Sequence, residues 1–149
     1  MTWSHQMMLE TLAQERGFSS WADIDTQLSH DVRFETAIEY IICGEVTLLD
    51  DHLTAHPHLV LEQSPYAHSA YLLHYCANNG VEFHRQQVPH NLSEVIKTLL
   101  NHGADTQSLM SVYGGKFTSA DLMITSCHPR DAGLDLKEIM DILKVKNEP

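Results

Sequence analysis

The stretch Tyr71-Leu72-Leu73-His74-Tyr75-Cys76-Ala77-Asn78-Asn79-Gly80 decides the fold, together with its continuation Leu99-Leu100-Asn101-His102-Gly103-Ala104-Asp105. Each half is an apolar helical run closed by a glycine, the residue that most readily takes the left-handed terminal conformation. Between them Leu92, Val95, Ile96, Leu99 and Leu100 recur at i, i+3, i+4, i+7 and i+8, which predicts a helix with one buried face. Asn91 is placed as its N-cap, with Glu94 three residues on. Two short helices joined in this way cannot bury both apolar faces alone, so the pattern calls for neighbours of the same kind.

Such neighbours are present on both sides. Upstream, Phe34, Ala37, Ile38, Ile41 and Ile42 predict a helix over 32–43 that ends at Gly44. Val46, Leu48, Leu49 and Leu53 then face inward from a second helix, which His56-Pro57 stops. Downstream, Thr118-Ser119-Ala120-Asp121 reads as a capping box, with Asp in place of Glu. That helix continues through Leu122, Met123 and Ile124 until His128-Pro129 breaks it. Its partner carries Leu136, Ile139, Met140 and Leu143. Residues 105–117, with Tyr113-Gly114-Gly115, read as a loop. At the N-terminus, Met7, Met8 and Leu12 fit one face of a helix over 3–15, closed by Gly17. A capping box at Ser20-Trp21-Ala22-Asp23 opens a further short helix to about 28.

The central stretch resembles an ankyrin repeat, whose units open with T-P-L-H-x-A-A-x-x-G and close with L-L-x-x-G-A-D. Arg85, Pro89-His90-Asn91, Gly103-Ala104-Asp105, Tyr113-Gly114-Gly115 and His128-Pro129 extend the likeness. Together they resemble a family of bacterial ankyrin-repeat proteins with insertions in the repeats, most of them without an assigned function. The resemblance implies an all-α fold. It would be a short ankyrin-repeat solenoid of about three helix pairs over 32–146, with an N-terminal helical cap over 1–31, in a single domain spanning 1–149. The spacing departs from the roughly 33-residue unit. Gly44 to Gly80 is 36 positions, and His74 to its counterpart Asp121 is 47, so both steps hold insertions. Tyr71-Leu72 stand where the pattern has Thr-Pro, and Ile38 and Asp121 stand where it has His. The last unit closes on polar Lys144-Val145-Lys146-Asn147, as a terminal cap requires.

The chain has 149 residues, 43% of them hydrophobic, which suits one domain with a core. No run approaches the roughly 18 apolar residues of a membrane span, and the first residues lack the pattern of a secretory signal. A cytoplasmic protein is expected. Cys43, Cys76 and Cys127 are odd in number and form no C-x-x-C pair, against a disulfide framework or a zinc knuckle. The formal net charge is −11. Residues 1–65 hold eleven acids and two bases (Arg16 and Arg33). That field repels phosphate, so nucleic acid is not an expected partner, and it would speed encounter with a basic protein.

Little in the sequence points to chemistry. His74 occupies the position whose side chain, by the resemblance, ties the backbone of adjacent repeats. His52 and His56 lie at i, i+4 with His58 and Asp51 beside them, a spacing able to hold a metal. His84 and His90 flank the insertion as further donors. A metal-binding protein or metal-dependent enzyme using these histidines is therefore the alternative reading. Cys127-His128 are adjacent in sequence, which does not bring their side chains together, and no G-x-S-x-G is present. Cys43 and Cys76 read as core residues. Gly114-Gly115-Lys116 lacks the upstream glycine of a phosphate loop. The expectation is no enzyme, no cofactor and no metal.

Binding is the remaining class. By the resemblance, the loop tips and the first helices line a concave side, here 63–68, Asn78, Asn79, 107–113, Asp121 and Thr125, with the insertion 82–87 projecting. Tyr66, Phe83, Arg85 and Tyr113 are of types enriched at hot spots, and Asn78 and Asp121 stand on the first helices. These six are the expected protein-binding residues. The chain is expected to act as a non-catalytic interaction module that binds or inhibits a basic protein, and to be a monomer or a weak homo-oligomer.

Overall fold

The computed structural model describes residues 4–15, 17, 19–20, 32–82 and 85–145. Among them the chain is mostly helical, with one small hairpin. The elements are α1 (His5–Glu15), α2 (Val32–Cys43), α3 (Val46–Ala55), a 3-10 turn (Pro57–Leu61), α4 (His74–Ala77), α5 (Leu92–Asn101), β1 (Met110–Val112), β2 (Gly115–Phe117), α6 (Ser119–Thr125), α7 (His128–Asp131) and α8 (Leu136–Val145). The helix predicted over about 20–28, and Phe83 and His84 of the insertion, lie outside the described residues.

The helices pack as three pairs: α2 on α3, α4 on α5, and α6 on α8. The first members touch in series, α2 to α4 to α6, and so do the second, α3 to α5 to α8. The predicted stripes form the seam between the rows. Phe34, Ile38 and Ile41 of α2, Leu49 and Leu53 of α3, Leu92, Ile96 and Leu99 of α5, and Ile139 and Leu143 of α8 are buried in one core. Leu48 is a correction: it was expected inward, yet it is half-exposed on α3. Met7, Met8 and Leu12 of α1 are half-exposed too, and Ala13 is the buried residue of that helix. Cys43 is likewise exposed rather than core, because as the last residue of α2 it lies off the stripe of Phe34, Ile38, Ile41 and Ile42.

Polar side chains bind the pairs together. Asn91 stands at the N-cap position of α5 but makes no side-chain cap bond there; its Nδ2 donates to the Gly44 carbonyl at 2.9 Å. His102 Nε2 lies 2.7 Å from Asp50 Oδ1, joining the end of α5 to α3. His74 is fully buried; its Nδ1 accepts the Tyr71 amide at 2.9 Å, so Nε2 carries the proton and donates to the Ser108 carbonyl at 3.0 Å. Burial drives its pKa down to about 4, against the backbone acceptors that pull it up.

Three local expectations are corrected. The helix predicted over 71–79 is α-helical over His74–Ala77 alone; three-residue turns lead into it, and Asn78 leaves it at φ +50°. Pro129 does not break a helix but begins one, at the first turn of α7, where its missing N–H costs nothing. The loop expected at 105–117 contains the antiparallel hairpin β1–β2, with Met110 opposite Phe117, Ser111 opposite Lys116 and Val112 opposite Gly115. Its two-residue turn has Tyr113 at φ +53° and Gly114 at φ +76°, the signs of a type I′ turn, whose twist matches the strands.

Candidate binding groove

Asn79, just past α4, organises the tip of the hairpin. Its Nδ2 donates to the Leu122 carbonyl at 3.1 Å and to Thr125 Oγ1 at 2.8 Å, both on α6. Its Oδ1 accepts the Tyr113 hydroxyl at 2.5 Å. One amide thus spans from the turn of the hairpin to the inner helix of the third pair. Gly80 lets the hairpin approach: it has φ +82°, and a Cβ there would lie 2.6 Å from Val112 Cγ2.

Hairpin and α6 form the walls of a groove of about 720 Å³. Tyr113, Lys116 and Phe117 stand on one side, Asp121, Leu122 and Ile124 on the other. The lining is largely apolar and open to solvent. Tyr113 is 70% exposed although its hydroxyl is held, and Ile124 is 53% exposed. An aromatic ring fixed at both its backbone and its hydroxyl loses little freedom on contact with a partner. Asp121 is already in use: its carboxylate accepts the Thr118 amide at 3.1 Å while Thr118 Oγ1 accepts the Asp121 amide, completing the predicted capping box.

The other expected binding residues are placed elsewhere. Asn78 is buried, with Nδ2 donating to the Gln87 carbonyl, so it holds the insertion and presents nothing to a partner. Arg85 is also buried, in a charged knot. It pairs with Glu82 at 3.1 Å, with Glu35 of α2, and more distantly with Glu39 at 3.7 Å. His68 Nε2 donates to Glu82 Oε1, and its Nδ1 accepts the Ala70 amide at 3.0 Å. The Tyr75 hydroxyl donates to the same carboxylate at 3.0 Å. Burial alone would raise the Glu82 pKa, but the bonds from His68 and Tyr75 and the Arg85 charge together bring it below its ordinary value. Burial also opposes the charge of Arg85; its bond to Glu35 and the neighbouring carboxylates outweigh this and raise its pKa. Tyr66 is half-buried over the rim of this knot, its ring 5.8 Å from that of His68.

The signal that could have revealed the knot was the pairing of Glu82 with Arg85 at i, i+3. Glu35, fifty positions upstream, carries no local cue.

The histidine run does not assemble a metal set among the described residues. His52 Nε2 is 2.8 Å from the Arg33 carbonyl, and the His52, His56 and His58 rings follow one another edge to face at 5.1 and 6.2 Å. Cys76 is buried, which raises the pKa of its thiol and keeps it protonated. No helix among the described residues is long and apolar enough to cross a membrane. No family model, no curated protein and no solved structure matches the chain.

Proposed function

We propose that this chain is a non-catalytic protein-interaction module, a short ankyrin-type stack of three helix pairs whose concave groove receives a partner protein. The two continuous rows of helices and the hairpin between the second and third pairs support the stack. The observation that carries the function is the held but exposed Tyr113 ring facing Ile124 across an apolar groove. Aromatic anchors of this kind contribute most of the binding energy where they occur. The acidic first 65 residues add a long-range field that favours a basic partner during encounter and leaves the groove contacts to set the lifetime.

The test is affinity capture from the native host with the wild type, Tyr113→Ala and Ile124→Asp side by side, at low and high salt. A stoichiometric protein held by the wild type and lost by both variants supports the reading. A protein held equally by all three places its contact elsewhere. Retention indifferent to salt removes the electrostatic part, since screening beyond about 8 Å at physiological ionic strength suppresses steering.

A further inference from the structure

The hairpin register leaves an open backbone edge on the groove. In a two-residue hairpin the residues that close the turn, Val112 and Gly115, exchange both backbone bonds, and the next pair exchanges none. Ser111 and Lys116 are that next pair, so their N–H and C=O groups point away from the hairpin on its two outer edges. On the β1 edge the vacancy is filled: the Ser111 amide donates to the His68 carbonyl at 2.8 Å. On the β2 edge, neither backbone group of Lys116 has a hydrogen-bond partner among the described residues. Lys116 and Phe117 are also groove wall.

We propose that the partner enters the groove as an extended segment that adds a third strand to β2, pairing with the backbone of Lys116. The proposal rests on the groove being a protein-binding site. Alternation along the strand specifies the segment. Met110, Val112 and Phe117 are turned toward the core, while Ser111 and Lys116 are turned to solvent. The residue opposite Lys116 therefore faces solvent beside its ammonium, and the residues on either side of it face the groove near Phe117, Leu122 and Ile124. The favoured occupant is an apolar–acidic–apolar segment carried by an otherwise basic protein, with the acid paired across from Lys116.

The same charge argues against a second copy of this chain. Two β2 edges meeting about a two-fold axis at Lys116 would set two lysines directly opposite each other, an unfavourable cross-strand pair.

The probe is a phage-displayed library of random twelve-residue peptides, selected on the full chain, with binding of the enriched peptides then measured on variants. Lys116→Pro deletes the outward N–H and places a ring on that edge without removing a bond of the hairpin itself. Lys116→Glu keeps the backbone edge and inverts its charge. Circular dichroism and thermal midpoints first establish that both variants fold as the wild type does.

The expected result is enrichment of apolar–acidic–apolar peptides, at least tenfold weaker binding to Lys116→Pro, and exchange of the acidic preference for a basic one on Lys116→Glu. Peptides that lose binding to Tyr113→Ala and Ile124→Asp but bind Lys116→Pro as well as the wild type would overturn strand addition and leave the groove reading intact. No enrichment, or peptides indifferent to all four variants, would overturn both. Enrichment with concentration-dependent dimerisation abolished by Lys116→Pro would overturn the choice of occupant in favour of a second copy.

Discussion

The two junctions between successive helix pairs make opposite use of their polar residues. At the first, between α2 and α4, Arg85, Glu35, Glu82, His68 and Tyr75 turn inward and bond to one another. At the second, between α4 and α6, Asn79 satisfies the backbone and holds Tyr113 out in solvent. Charge withdrawn from water and paired acts on cohesion and specificity of packing. A ring held rigid but left exposed is available for contact. The residue types alone would have ranked Arg85 and Tyr113 together as binding anchors. Burial separates them.

The sharpest way to break the comparison is to open the knot. Arg85→Ala leaves Glu82 buried beside uncompensated acid, and denaturant titration is expected to show a loss of about 3–5 kcal/mol. A loss under about 1 kcal/mol would mean that the knot is solvated and that Arg85 is free to serve at the surface after all.

The pH dependence follows next. The His74 ring is neutral in the fold, with a pKa of about 4 against 6.5 when free, so the unfolded chain takes up its proton first as pH falls. That stability is complete above about pH 6.5 and drains away down to pH 4, a loss of about 3 kcal/mol. The depressed Glu82 acts in the same direction at lower pH: its contribution is present above its free value near 4.5 and is lost as pH falls through its folded one. Unfolding free energies measured from pH 7.5 to 4 are expected to fall in the wild type and to flatten between 6.5 and 4.5 in His74→Gln. A wild-type profile level across that interval would contradict the buried, backbone-bonded ring.

Smaller effects probe the second junction. Gly80→Ala puts a Cβ against Val112 at a left-handed backbone position, and is expected to cost about 1–3 kcal/mol and to displace the hairpin. Nuclear magnetic resonance shifts clustered at β1, β2 and α6 would show the displacement; shifts spread through α2 and α3 would contradict a local role. Tyr113→Ala removes an exposed ring and is expected to change stability by less than about 0.5 kcal/mol while abolishing partner capture. A large stability loss there would make the ring structural and erase the contrast between the junctions.

Much of the architecture was legible because helical periodicity and capping are local. The stripe from Phe34 to Ile42, the stripe from Leu92 to Leu100 and the Thr118–Asp121 capping box appear where the spacing put them. The sequence reads the hairpin as a loop because its strands are three residues each and the first of its two left-handed turn positions holds a tyrosine rather than a glycine or asparagine. Of the groove, Tyr113 is legible from its residue type and Asp121 from its place at the start of a capped helix. Ile124 is placed on its helix by the sequence but not on a face, since a helix seven residues long has too few turns to tell its buried side from its exposed one.

By itself, then, the sequence determined the longer helices α2, α3, α5 and α8 and the excess of acid in the first half, because short-range periodicity, glycine punctuation and composition need no knowledge of distant residues. The tertiary structure alone decided which polar side chains were buried. Arg85 meets Glu35 across fifty positions, Asn91 reaches the Gly44 carbonyl across 47, and the Lys116 backbone stays open while that of Ser111 is closed by His68. Each of those outcomes depends on how one helix pair settles against the next, and long-range contact leaves no periodic trace along the chain.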